Sequence, residues 1–168
     1  MILLAFLFAA ATADLDPLSP AEGGKLQCHA PDVARKTCAS IAAYARDPDG
    51  TLQNTAAILL RAEPLIVARS KAPVVIKGGA VCGRITEGDF AAMLFTIDGQ
   101  PADAPNAEAI RNAMRPGFNA ILNREICTRY VPTGDQLNGE VSVDGKRRPQ
   151  LDQPVRWVSP SEGFSVAP

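Results

Sequence analysis

Four cysteines and a single histidine carry the most distinctive chemistry available to this 168-residue chain. Cys28, Cys38, Cys82 and Cys127 are separated by 10, 44 and 45 residues. No two of them form the tight C-x-x-C pair that structural zinc and thioredoxin-type exchange use. His29 adjoins Cys28, and adjacent residues rarely ligate one ion together. The spacing therefore predicts two disulfides, with no metal and no cofactor. Four cysteines allow three pairings. The favoured one joins Cys28 to Cys38 around a small loop and Cys82 to Cys127 across distant segments.

His29 is also the only side chain whose ordinary pKa suits proton transfer near neutrality. A Ser-His-Asp arrangement would have to use it, yet its segment reads as a surface loop. No G-x-S-x-G, H-E-x-x-H, phosphate loop or dinucleotide glycine motif occurs. The 18 acidic residues could supply a glycosidase-type carboxylate pair, but no spacing singles out two. Asp47-x-Asp49-Gly50 falls short of a calcium loop, which needs glycine sixth and glutamate twelfth; here the twelfth position is Ile58. No catalytic residue is assigned. Three side chains stand as candidate ligand contacts: Trp157, and Tyr130 with its neighbour Arg129. Strand alternation would put Val155 and Trp157 on one face, with Arg156 and Val158 on the other.

The chain opens on an apolar run, Ile2 to Ala10, followed by Ala11-Thr12-Ala13. That fits a signal peptide with a small-x-small cleavage site, although no Lys or Arg precedes the run. It is too short to span a bilayer, which needs about 20 apolar residues. The expectation is export to the periplasm or medium after cleavage near Ala13, where disulfides are chemically permitted. The remaining chain then reads as a flexible lead-in over residues 14–25 and a single stapled domain over 26–168. Net charge is −1, so no basic surface points to nucleic acid. The one basic run, Lys146-Arg147-Arg148, sits beside Asp144-Gly145 and reads as a solvated turn. Leader, size and an Ala- and Arg-rich composition resemble small exported bacterial proteins.

The elements that would position these residues are mostly short and β-type. Residues 31–37 suggest a helical turn. Ser40 to Arg46 and Thr51 to Leu60 flank Asp47-Pro48-Asp49-Gly50, the clearest hairpin signal. Further strand-like runs are Leu65 to Arg69, Pro73 to Lys77, Ala80 to Ile85, Leu94 to Ile97, Ile126 to Val131, Glu140 to Val143 and Val155 to Val158. Thr86 and Asp89 have capping-box spacing. The best helix begins near Pro105-Asn106, with Ala107, Ile110, Met114, Ile121 and Leu122 on one face. Pro116 should kink or break it. The sum predicts an α+β fold: a mainly antiparallel sheet with one kinked or broken helical region packed on a face.

With no catalytic constellation, enzyme activity is not expected. The leading functional expectation is a non-catalytic binding or interaction module, its partner an envelope protein or component. One alternative is a small periplasmic hydrolase using carboxylates or His29. Another is a structural cell-envelope component. After cleavage the chain should not be an integral membrane protein.

Overall fold

The computed structural model describes residues 16–168. The expected leader, residues 1–13, lies outside the described residues.

The chain first forms a short helix, α1 (Ser19–Glu22), and then builds strands almost without pause. These are β1 (Leu26–Asp32), β2 (Thr37–Arg46), β3 (Leu52–Arg61), β4 (Ile66–Lys77) and β5 (Ala80–Arg84). An excursion follows, made of α2 (Glu87–Ala91), β6 (Leu94–Ile97), β7 (Gln100–Pro101) and α3 (Ala104–Phe118). The chain then returns through β8 (Glu125–Thr133), β9 (Gln136–Val143), β10 (Lys146–Arg147), β11 (Gln153–Val158) and β12 (Ser165–Val166).

Each of β1, β2, β3, β4, β5, β8, β9 and β11 pairs antiparallel with the next, and β11 pairs back onto β1. The result is a closed 8-strand β-barrel. Closure leaves no unpaired edge along this ring. Two hairpins that branch from the ring, β6–β7 and β9–β10, turn on Asp98-Gly99 and Asp144-Gly145, with positive φ at both positions, the primed geometry that matches strand twist.

This corrects the α+β expectation of a sheet covered on one face by a helical region. A closed barrel has an inside and an outside but no open face for a helix to cover. Two readings produced the error. Residues 65–69 and 73–77 looked like separate short strands, interrupted by Pro73. They are halves of one strand, β4. Its first half pairs with β6 and its second with β5, and Pro73 sits at the step between those partners, where a ladder tolerates proline. Residues 31–37 form no helical turn either. β1 runs to Asp32 and hairpins directly into β2.

The helices are small and lie at the barrel ends. α1 lies against β2, with Leu18 buried among Tyr44, Leu52 and Ile76. At the other end the excursion between β5 and β8 builds a second core of Ala68, Phe90, Met93, Phe95 and Leu122. Ala107, Ile110, Met114 and Phe118 of α3 pack against it, as do Leu60 and Ile85 of the barrel wall. α2 starts on the expected capping box, with Thr86 and Asp89 each accepting the other's backbone N–H. α3 starts where its proline suggests, with Pro105 in the first turn and Asp103 as the cap, whose side chain accepts from Asn106 N–H. It continues through Pro116 as one helix and ends two residues later; the proline forgoes the one bond its N–H would give to Asn112 O.

Both disulfides form as paired in sequence. Cys82 and Cys127 sit opposite each other on β5 and β8, with Cα atoms 4.0 Å apart. Cys28–Cys38 joins β1 to β2 and packs with Val158, Leu26, Ile41 and Phe164. The outer wall carries Arg69, Lys71, Arg129 and Glu140 on outward positions of β4, β8 and β9. Such side chains suit water; on a lipid-facing barrel wall a midplane Arg or Lys costs about 2–4 kcal/mol. Among the described residues no helix is long and apolar enough to cross a membrane.

Candidate functional site

Period-two alternation sorts the strands into inward and outward residues. Inward positions on β2 to β5 are unusually small: Ser40 and Ala42, Ala56, Ala72 and Gly83 all line the interior. An 8-strand barrel is just wide enough for side chains to fill or for one small ligand. Small residues here leave space, and the lumen holds a cavity of about 320 Å³.

The larger side chains around that space are aliphatic (Ile58, Val74, Val81, Ile85 and Ile126) and polar in about equal number. His29 comes from β1, Tyr44 from β2, Asn54 from β3, Thr128 and Tyr130 from β8, and Gln153 from β11. Register explains how the big ones fit. Gln27 faces Ala42 across the β1–β2 ladder, and Tyr130 faces Gly139 across β8–β9. A Cβ at Gly139 would stand 3.3 Å from the Val155 side chain and 3.4 Å from that of Thr128. The wall is therefore already tight where the tyrosine needs room.

Gln27 is the centre of the arrangement. It is 0% exposed. Its Oε1 accepts from Tyr44 Oη at 2.9 Å and from Tyr130 Oη at 2.9 Å, and the two hydroxyl oxygens lie 3.4 Å apart. Its Nε2 has no partner. Turning the amide over would not help: the carbonyl oxygen would then be unpaired, and at least one phenol proton would lose its acceptor. In either orientation a fully buried amide stays short of a partner, a condition worth about 1–3 kcal/mol of desolvation penalty. Burial raises both phenols above their usual pKa, Tyr44 most strongly, so both stay protonated donors.

His29 completes the polar wall. It is a strand residue turned into the lumen, not the loop residue its surroundings suggested. Gln153 Nε2 donates to His29 Nδ1 at 3.1 Å, which leaves the ring proton on Nε2. Burial without a counter-charge lowers its pKa to about 4, so the ring is neutral at physiological pH. Ser40 lies directly across the ladder, but no hydrogen bond joins it to His29. The orienting group on Nδ1 is an amide rather than the carboxylate of a hydrolase triad.

The three candidate contact residues separate. Tyr130 is in the lumen. Trp157 shares the inward face of β11 with Val155, and its ring centroid lies 6.5 Å from that of Tyr44. Arg129 points outward and donates to Gly78 O at 2.6 Å. Sequence reasoning passed over Gln27, Tyr44 and Gln153. The available signal was the small-residue alternation Ser40-x-Ala42-x-Tyr44, which in a closed barrel marks an unfilled interior.

A larger concavity, about 780 Å³, is an outer groove beside β4 and β5, with Val75 and Ile76 exposed in it. Of its charged groups, Arg46 and Arg84 are exposed and Asp89 and Glu125 half-buried. The lumen is smaller but is enclosed by the inward faces of seven barrel strands, and the candidate site is placed there. Among the described residues no cluster of His, Cys, Asp and Glu could hold a metal ion. No family profile matches the chain, and neither a curated protein nor a solved structure matches it.

Proposed function

We propose that this protein is an exported, non-catalytic binding module whose barrel lumen takes up one small molecule. The observation that carries the reading is an open volume of about 320 Å³ inside the barrel, edged by the polar side chains of His29, Tyr44, Asn54, Thr128, Tyr130 and Gln153 among small and aliphatic ones. A concave, largely apolar space with a few convergent polar groups is the usual form of a small-molecule site. Two disulfides and a water-suited outer wall support an oxidising, aqueous compartment.

A thermal-shift screen of small uncharged compounds tests the binding reading, with Ala56→Phe as the filled-lumen control. Compounds that raise the melting temperature of the wild type but not of the control support it. A screen in which no compound shifts the wild type, or in which both shift equally, would count against it. N-terminal sequencing of protein secreted from a bacterial host tests export; a chain that still begins at Met1 refutes it.

The juxtaposition of His29 and Ser40 favours one second reading, a small hydrolase. A general base works best with a pKa near the working pH, and His29 is held at about 4. Ester turnover that disappears in His29→Ala would establish the hydrolase in place of the binder.

A further inference from the structure

The geometry points to a compact, neutral amphiphile as the lumen ligand, its oxygen held between His29 and Ser40 and its apolar body set against the aliphatic side of the barrel wall. This rests on the lumen being the binding site and adds the chemical class of what enters it.

The polar contact is within reach of the space. His29 and Ser40 both line the lumen, and they face each other across the β1–β2 ladder. With Nδ1 accepting from Gln153, the His29 ring proton is on Nε2. Neither that Nε2 nor Ser40 Oγ bonds to another described residue, yet the fully buried side-chain atoms without a partner are two others, Gln27 Nε2 and Arg111 Nε. His29 Nε2 and Ser40 Oγ are therefore unpartnered and accessible, and alternation turns both residues to the lumen. Directly opposed residues of an antiparallel pair have Cβ atoms about 4.5–5.5 Å apart. One ligand oxygen can accept from His29 Nε2–H and share a second hydrogen bond with the Ser40 hydroxyl.

The rest of the lining asks for hydrocarbon. Ile58 lies beside Ser40 across the β2–β3 ladder. Val74, Val81 and Ile126 come from β4, β5 and β8, across the ring from β1. A ligand polar all round would press some of its groups unpaired against these side chains, which costs free energy. A ligand with no oxygen would leave the His29 donor unmet. A space of about 320 Å³ is at the small end for ligand sites, so the molecule is compact.

The charge argument is separate. Alternation turns Arg84 outward, between the inward residues Gly83 and Ile85, and Arg84 is exposed. It is the one residue of formal charge along the lining; the other polar lining groups are amides, hydroxyls and a neutral imidazole. An ionised ligand would leave water and find no counter-charge inside.

Three probes built on one ring separate these points: benzyl alcohol, benzoate and toluene. Binding is read at pH 7 by calorimetry and by NMR. Benzyl alcohol should bind with a dissociation constant in the millimolar range or below, and benzoate should bind at least about tenfold more weakly. His29→Phe, which keeps a ring of similar size, should weaken benzyl alcohol by about three- to tenfold and leave toluene unchanged. His29 is the only histidine, so its ring nitrogens can be followed in the wild type. The Nε2 resonance should move downfield with benzyl alcohol and not with toluene, a measurement that does not depend on the variant folding. If benzoate binds as tightly as the alcohol, if His29→Phe weakens both neutral probes equally or neither, or if the Nε2 resonance does not respond, the ligand class is wrong while the lumen remains a binding site. If none of the three binds, the lumen reading itself falls.

Discussion

The barrel interior and the helical cap are built from opposite choices. In the cap, Phe90, Met93, Phe95 and Leu122 close on Ala68, and Arg111 reaches in over the Phe95 ring to donate to Met93 O, its Nε buried without a partner. Phe90 and Phe118 rings sit 5.0 Å apart, and the Arg115 guanidinium lies 4.7 Å above Phe90. In the lumen, alanines and glycines hold the wall back, and the polar side chains that cross it are incompletely paired. Dense apolar packing specifies and stabilises a fold. An under-filled polar interior does neither well, and proteins retain such regions where function needs them. The contrast assigns stability mainly to the cap and the strand ladders, and binding to the lumen.

The comparison can be broken most forcefully at Phe90. Phe90→Ala should cost about 3–5 kcal/mol, the range for a fully buried aromatic, as a lowered denaturation midpoint. Affinity for a compound found by the thermal-shift screen, measured well below that midpoint, should stay within a factor of about three, since Phe90 is no part of the lumen wall. A large loss of affinity with little loss of stability would show that the two regions are not separable.

The junction between them comes next. Cys82–Cys127 closes the base of the excursion that makes the cap, across 45 residues. Replacing both by alanine should cost about 4 kcal/mol in the chain-entropy account, against about 3 kcal/mol for the 10-residue Cys28–Cys38 loop. Urea titrations of the two double variants would compare them. Equal losses would point to effects in the native state rather than in the unfolded chain.

The lumen has a pH signature that the cap lacks. His29 is neutral in the fold to about pH 4, whereas the unfolded histidine takes up a proton below about 6.5. Stability due to this group is therefore full above pH 6.5 and falls as pH drops toward 4, by about 3 kcal/mol at most. His29→Gln should flatten that part of the curve. Carboxylates cannot mimic it. Asp152, held at about 2 chiefly by its hydrogen bonds from Arg147, contributes above 3.8 and loses that contribution only as pH falls from there toward 2. Denaturant midpoints collected from pH 7 to pH 3 separate the windows.

The smallest effect is the sharpest contrast, because it changes sign. Ala68→Val inserts two methyl groups into the closed cap core and should destabilise by about 1–3 kcal/mol. Ala56→Val inserts the same volume into the lumen and should be neutral or stabilise by up to about 1 kcal/mol, with weaker ligand uptake. Two destabilising results in thermal melts would mean that the lumen is as tightly filled as the cap.

Several features were legible because they depend on residues near one another. The capping box at Thr86 and Asp89, the Asp47–Gly50 hairpin turn, and the Ala107, Ile110 and Met114 face of α3 all follow from local spacing. The Cys82–Cys127 pairing was legible too, since it joins strands that flank the helical excursion. His29 was misplaced because the turn-like Ala30-Pro31-Asp32 hid its strand. Ala30 in fact takes φ +47° inside β1, and the strand continues past it. Gln27 gave no signal and Tyr44 only the small-residue alternation that leads to it; their meaning comes from meeting at one point inside the ring.

The sequence by itself determined the strands and turns, the helix start signals and the disulfide framework, because backbone propensity, side-chain period and chain entropy act over short distances. Only the tertiary structure decided that the sheet closes. Closure rests on β11 returning to β1, a pairing between opposite ends of the chain that no local pattern encodes. Once closed, the same alternation that marks any half-buried strand gains an interior. There the small residues become a cavity, and Gln27, Tyr44, Tyr130 and His29 become one site.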